Sequence, residues 1–282
     1  MQDFSFVDET LDINLTQSYY LSIQAGLDGL SFCILDPVRE KYITLAHKTF
    51  HKDLIFDDFL NELENYLENT ELLNYHYKST RLIWVSPKNM LIPNSYFQKE
   101  NLKQYFEFNQ KLGELDEIHY NELMYIDAYS VFIVPNQVAN IFAKKFQNIS
   151  FYNQQIPFIE QSLLKHHSES KKVIANITHD FMDLCITENG KLIHYNNFAF
   201  KTGMDIIYFI LYVFNQFGLD PKTNELFLNG FIHKKEETYM QLKNYVHHLR
   251  VDKLNEEFSY SYTFNKIPAH TFTNLFNLHL CE

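Results

Sequence analysis

Residues 23–35 read IQAGLDGLSFCIL, an apolar strand that enters Gly26, Asp28 and Gly29 and an apolar strand that leaves them. Glycine-containing turns between strands are where backbone N–H groups wrap phosphate, because glycine permits close approach and positive φ. Asp28 would add negative charge there, and phosphate and carboxylate repel unless a cation lies between them. The stretch therefore reads first as a structural hairpin, with Asp28-Gly29 as turn chemistry. An aspartate returns in a similar setting at Asp180. Two such carboxylates could alternatively bind a cation.

Other chemistry-bearing residues are scattered. His166-His167 and His247-His248 are adjacent pairs, and neighbours on a helix point apart. No H-E-x-x-H, C-x-x-C, G-x-S-x-G, P-loop or G-x-G-x-x-G occurs, so none of the chemistries those spacings carry is indicated and no metal is expected. Cys33, Cys185 and Cys281 have no disulfide or metal spacing and read as reduced thiols. Tyr75 and Tyr77, and Tyr260 and Tyr262, read as edge-strand tyrosines, with a protein interface as the functional alternative.

The elements that must position these residues come from a chain of 282 residues, 46% hydrophobic and 21% charged, which is enough apolar material for a sizeable core. The net charge of −11, with no Lys/Arg stripe, argues against nucleic acid or an anionic membrane as partner. The apolar run at 206–214 is too short to span a bilayer and reads as a buried helix. The acidic N-terminal segment lacks a signal-peptide core, so a cytoplasmic location is expected. Twenty-six Phe and 19 Tyr stand against only seven Gly, a shortage that disfavours phosphate-wrapping loops.

An internal repeat organises the chain. Asp28 falls on Asp180 and Cys33-Ile34 on Cys185-Ile186; after a two-residue deletion in the turn, Lys41 meets Lys191, Ile43 meets Ile193 and Phe50 meets Phe200. Both copies read as strand, turn, strand, turn, strand, helix, strand, the pattern of a duplication. Strands are expected at 30–35 and 182–187, an amphipathic helix at 58–67, and an all-round apolar helix at 205–216 with Gly218 as C-cap. Further helices are expected near 98–112, 136–146, 154–170 and 236–248, and strands near 129–134, 258–264 and 275–280. The polar run 166–172 is the boundary, giving lobes 1–165 and 166–282.

A three-strand meander, a crossover helix and a further strand, twice over, resembles the actin-like ATPase superfamily (ASKHA). The second copy, with Gly190-Lys191-Leu192 and the long helix after it, resembles PilM-like members. More narrowly, LSIQ at 21–24, LIP at 91–93, NNFAF at 196–200, DIIYFILYVFNQFGLDP at 205–221 and LNG at 228–230 resemble a family of unknown function in Bacteroidota. The implied fold is α/β: a duplicated actin-like (ribonuclease H-like) fold, two lobes each with a mixed sheet and flanking helices.

The superfamily resemblance implies a nucleotide cleft, and this sequence departs from it. Where the first phosphate loop carries D-x-G stand Gln24, Ala25 and Gly26, followed by Asp28. Where the second carries D-x-G stand Asn176, Ile177 and Thr178, followed by Asp180. The adenosine loop's G-G is Asn229-Gly230. A neutral amide adds no charge to a divalent ion and cannot act as a base. The cleft is expected to be vestigial, with no catalytic residue and no cofactor. The expected function is a non-enzymatic pseudo-ATPase that acts as a scaffold or adaptor for an unknown protein partner. The alternative is a slow ATPase or kinase that binds ATP and Mg²⁺ through a cation site around Asp28 and Asp180.

Overall fold

The structure, a computed structural model, describes residues 2–51 and 55–281. The chain folds into two units. The first holds residues up to 156, together with 255–267 and the stretch from 274 onward; the second holds 157–254 and 268–273.

In the first unit the chain runs β1 (Phe4–Val7), β2 (Tyr20–Gly26), β3 (Gly29–Asp36), β4 (Lys41–Thr49), α1 (Phe56–Asn69), β5 (Ser79–Trp84), β6 (Asn89–Pro93), α2 (Leu102–Asn109), β7 (Asp116–Glu122), β8 (Ala128–Pro135), α3 (Asn136–Lys145) and β9 (Ile149–Asn153). The main sheet has the order β1-β4-β3-β2-β5-β9. Its meander β2-β3-β4 is antiparallel, and β2-β5 and β5-β9 are parallel. On α1, Phe59, Leu63 and Leu67 are buried at i, i+4 and i+8 while Asp57, Asp58 and Glu64 stay outside. These three pack with Ile23, Phe32, Leu82 and Trp84 of the sheet. A smaller sheet, β6-β8-β7, shares a core of Ile92, Val131 and Ile133 with Phe106 of α2.

Every residue of β3 (GLSFCILD) is buried, which accounts for its largely apolar sequence, with Ser31 and Asp36 as its buried polar exceptions. The helices cover one face, and residues 259–267 and 274–281 cover the other. There, β15 (Ser259–Tyr260) pairs in parallel with β4. The Tyr42 hydroxyl donates to the Phe276 carbonyl, and the Tyr42 ring lies 4.8 Å edge-on from Phe276 and 5.4 Å from the stacked Tyr260 ring. The Arg81 guanidinium donates to the carbonyls of Leu278, His279 and Cys281. The strand expected near 275–280 is instead helical: α7 (Thr273–Asn277) runs into a 3-10 turn, Leu278–Leu280. A strand would direct its carbonyls sideways into a ladder; here the carbonyls of 278, 279 and 281 converge on one guanidinium. The expected strand at 258–264 shrinks to two residues followed by the 3-10 turn Tyr262–Lys266.

α4 (Gln155–Lys165) carries the chain onward. The second unit then runs β10 (Lys172–Ile177), β11 (Phe181–Glu188), β12 (Lys191–Ala199), α5 (Gly203–Gln216), β13 (Glu225–Gly230), α6 (Glu237–Tyr245) and β14 (His248–Val251). Its sheet order, β12-β11-β10-β13-β14, matches β4-β3-β2-β5-β9 of the first unit strand for strand, with the same antiparallel and parallel pairings. Ile206, Ile210, Val213 and Phe214 of α5 pack on Ala175, Leu184 and Leu228. α5 is not buried on every side: Met204, Tyr208 and Tyr212 form an exposed stripe. Gly218 follows its C-cap with φ 62°, as the sequence predicts. Among the described residues, no helix is long and apolar enough to cross a membrane.

Candidate functional site

The first hairpin is set by its register. Gln24 pairs with Ser31, Ala25 with Leu30 and Gly26 with Gly29, so Leu27 and Asp28 form the tip. Gly29 is required by packing: a Cβ there would lie 2.4 Å from the Lys48 carbonyl oxygen of β4. The Asp28 carbonyl accepts from the Phe50 N–H at 3.0 Å and ties the tip to the end of β4. Gln24 sits mid-sheet, flanked by Ser31 on β3 and Ile83 on β5. Beside it, the Ser31 hydroxyl meets His47 Nδ1 at 2.8 Å, and His47 Nε2 meets the Thr49 hydroxyl at 3.2 Å. Gln24 Oε1 is buried and accepts no hydrogen bond from any described residue.

The second hairpin repeats the tie. The Asp180 carbonyl accepts from the Phe200 N–H at 2.9 Å. The turn itself is closed differently. Thr178 donates its N–H and its hydroxyl to the Phe181 carbonyl at 2.9 and 2.6 Å, and the Phe181 N–H returns to the hydroxyl at 3.2 Å. The hydroxyl is therefore committed to the turn. His179 stacks on Phe231 with ring centres 4.1 Å apart.

Asn176 and Asn229 are register partners on β10 and β13, and Ile177 and Gly230 follow them. Gly230 has φ 81°, and a Cβ there would fall 2.1 Å from the Ile177 carbonyl oxygen. Asn176 also pairs with Asp183 on β11, which pairs with Asn197 on β12. One polar row thus crosses the sheet. Asp183 is fully buried, and the Tyr195 hydroxyl donates to it at 2.6 Å. Asn229 donates to Asp252 Oδ2 at 3.4 Å and accepts from the Thr273 hydroxyl at 3.4 Å. His166 lies 3.4 Å from Asp252 Oδ2, Lys165 lies 3.6 Å from Oδ1, and the Lys253 N–H donates to Oδ1 at 2.8 Å. Burial works against the Asp252 carboxylate, but the His166 hydrogen bond and the nearby Lys165 and His166 charges hold it below the usual range.

The structure thus places Gln24, Gly26 and Asp28 on one hairpin of the first unit. It places Asn176 beside Asn229, and Ile177 beside Gly230, in the second, with Thr178 and Asp180 in the turn that follows β10. The sequence does not single out Asp183, Tyr195, Asp252 or Thr273, which fix this polar row, and offers His166 only as one of an adjacent pair, with no sign of its contact with Asp252. One signal was visible: a lone aspartate inside the apolar run FMDLCI. Among the described residues, no three His, Cys, Asp or Glu side chains gather as metal ligands. Burial pushes the Cys185 thiol up to about 12 and raises Cys33 as well, so neither is a nucleophile at neutral pH.

A hydrated Mg²⁺ with a triphosphate asks for carboxylate charge and for glycine backbone that phosphate can approach. The two positions to which the fold resemblance assigns carboxylates are amides, Gln24 and Asn176. Asn229 has both amide ends occupied, and Thr178 puts a side chain where a glycine would stand. On donor chemistry the residues present do not fit a magnesium nucleotide.

The architecture is that of the actin-like ATPase fold. A Bacteroides thetaiotaomicron protein, described as having an actin-like ATPase fold and unknown function, superposes with a TM-score of 0.78 at 26% identity, over 86% of this chain and 94% of its own. PilM from a PilM–PilN type IV pilus biogenesis complex superposes at 0.56 with 10% identity, covering 93% of this chain and 97% of that one. The ethanolamine utilization protein EutJ from Carboxydothermus hydrogenoformans gives 0.55 with 9% identity, covering 98% and 93%. The chain belongs to the DUF3822 family, a protein family of unknown function, whose model matches residues 8–249. No curated protein matches it significantly.

Proposed function

We propose that this chain is an actin-like protein without ATPase chemistry, whose role is to hold a protein partner. The observation that carries the reading is the pair of amides, Gln24 and Asn176, at the places where the fold resemblance calls for carboxylates. Amides supply neither charge for Mg²⁺ nor a base for water. The committed Thr178 hydroxyl and the doubly bonded Asn229 support it. The matched strand orders of the two sheets, and the matched Phe50–Asp28 and Phe200–Asp180 bonds, support an origin by duplication.

The test is thermal unfolding with ATP or ADP, each with Mg²⁺, at millimolar concentration. A ligand at 100 times its Kd stabilises by ~2.7 kcal/mol, which raises the midpoint of a chain this size by several degrees. The expected result is an unchanged midpoint. A reproducible rise overturns the reading.

One observation favours a second reading, a protein that still binds nucleotide. Gln24 Oε1 is a buried acceptor without a donor, and such an acceptor suits a metal-bound water or a ligand hydroxyl. Copurifying nucleotide would favour it.

A further inference from the structure

The two matched sheets differ at one edge. In the first unit the outer edge of β4 is covered. β1 pairs with it antiparallel, from Phe4↔His47 to Val7↔Thr44, and the Asp8 N–H donates to the Ile43 carbonyl at 2.8 Å. In the second unit the equivalent strand, β12, pairs with β11 alone among the described strands. The repeat that sets Ile43 on Ile193 sets Leu45 on Tyr195 and His47 on Asn197. The Phe200 N–H bonds to the Asp180 carbonyl, and bonded pairs alternate along an antiparallel ladder. Phe198 and Asn196 therefore turn their backbone groups to β11, while Ala199, Asn197 and Tyr195 direct theirs outward. The Asn197 N–H is held by the exposed Asn196 side chain at 2.9 Å. β12 bulges at Ile193 as β4 bulges at Ile43, and at Ile43 the edge still takes a strand.

Proline and central lysines are the usual devices that keep an edge strand single. Residues 192–200 of β12 and its end, LIHYNNFAF, contain no Pro, Asp, Glu, Lys or Arg. Burial pushes the His194 imidazole toward its neutral form. The freedom from charge continues in α5, where residues 206–216 carry none. The two surfaces are joined. Phe198 of β12 stacks on Phe209 of α5 with ring centres 4.9 Å apart, Phe209 meets Tyr208 edge-on at 5.4 Å, and Tyr208 stacks on Tyr212 at 6.2 Å. Ile193, Tyr208 and Tyr212 are exposed.

The order of residues in the strand selects its occupant. Turned antiparallel on itself about Asn196, LIHYNNFAF sets Leu192 against Phe200, Ile193 against Ala199, Tyr195 against Asn197 and Asn196 against Asn196. Apolar ends meet apolar ends, amides meet at the centre, and the outward-directed residues fall opposite one another. Centring on Tyr195 would set Ile193 against Asn197; centring on Asn197 would set it against Lys201. A charged partner finds no counter-charge here. A chain of net charge −11 repels its own copy, and a contact free of charge on both sides is where two copies can meet.

We propose that two copies of this chain join edge to edge through β12, antiparallel about a two-fold axis at Asn196, with the aromatic stripe of α5 beside that axis. Such a contact is self-complementary and closes at two copies. It leaves no further β12 edge to pair. The inference goes beyond the partner-holding reading and does not depend on it.

The experiment is sedimentation velocity of the full chain over a range of concentrations, beside variants of the edge. The parent should be a dimer. Ala199→Pro removes an outward N–H and leaves the ladder to β11, and Tyr212→Glu sets like charges beside the axis. Both positions are exposed, and unchanged circular dichroism verifies the fold. Each substitution should weaken the dimer at least tenfold. Asn196→Cys meets its own copy in a non-hydrogen-bonded pair, about 4.5 Å between Cα atoms and within disulfide reach. Mild oxidation should cross-link it into a covalent dimer, while Ala199→Cys, which lies opposite Ile193, should stay uncross-linked. The native cysteines are all buried and take no part. A parent that is monomeric at every concentration overturns the proposal. So does a dimer indifferent to both substitutions, growth into open-ended oligomers, or cross-linking at 199 in place of 196.

Discussion

At Asn176 an aspartate differs from the amide by one atom and one charge; at Gln24 it differs by one methylene as well. Restoring both carboxylates, with Gln24→Asp and Asn176→Asp, is expected to give no ATP hydrolysis. The Thr178 side chain and its closed turn remain, and phosphate still lacks a glycine approach. Phosphate release by the double variant above that of the parent would sink the steric argument. Gly230 offers a sharper test of structure. Gly230→Ala places a methyl group against the Ile177 carbonyl at a φ of 81°. A loss of at least ~2 kcal/mol in chemical denaturation is expected. Both glycine positions were visible as sequence features, but their reasons were not. Gly29 answers to Lys48, and Gly230 to Ile177, through strand pairings that no local pattern announces. The same holds for Asn229, whose partners Asp252 and Thr273 lie far along the chain with no motif spacing.

Titration belongs at this scale too. Burial, with Arg81 and Lys78 nearby, pushes His279 down to about 4. Its unfolded value is ~6.5. The folded chain therefore keeps it neutral where the unfolded chain takes up a proton. Its contribution is fully present above pH 6.5 and is lost as pH falls through about 4. The side chain is partly solvated, so the effect discounts to ~1–2 kcal/mol. Denaturation of His279→Gln at pH 7 and pH 5 should show a smaller loss between the two than the parent shows. An unchanged loss would mean that other groups carry the acid sensitivity.

Among the elements, α5 was read correctly in extent and incorrectly in symmetry. Its apolar run conceals an outward stripe because Tyr and Met count as apolar in a periodicity while tolerating water. Its start is held by a capping box, Thr202 with Asp205. Thr202→Ala should cost ~1 kcal/mol, measured by the shift of the denaturation midpoint. The hairpins and helices α1 and α3 were legible because alternation, helical spacing and turn residues agreed. Residues 273–280 were not. In TNLFNLHL the alternation of Leu278 and Leu280 with Asn277 and His279 imitates a strand over too few residues to exclude a helix, and the deciding contact, Arg81, sits about 200 residues earlier.

On the scale of the whole molecule, the first unit depends on a segment remote in sequence. Residues 259–267 and 274–281 cover the sheet face that carries Cys33 and Tyr42. Deleting the chain from residue 274 should expose that face and leave the sheet of the second unit intact. All three cysteines are buried thiols outside any disulfide, so thiol labelling reads the outcome directly. In the truncated chain Cys33 should react rapidly with a maleimide while Cys185 stays protected. Protection of both would mean that the tail does not close the first unit. The matched sheets gave the fold its sequence signature; the covering tail, which has no counterpart in the repeat, left none.

That covering segment also imposes an order on synthesis. At ~5–20 residues per second, the ribosome finishes the strands of the first unit well before it makes residues 259–281. Throughout that interval the sheet holds one finished face and one bare face, with Cys33 and Tyr42 open to solvent or to a chaperone. The unit begun first is therefore closed last, by almost the final residues described.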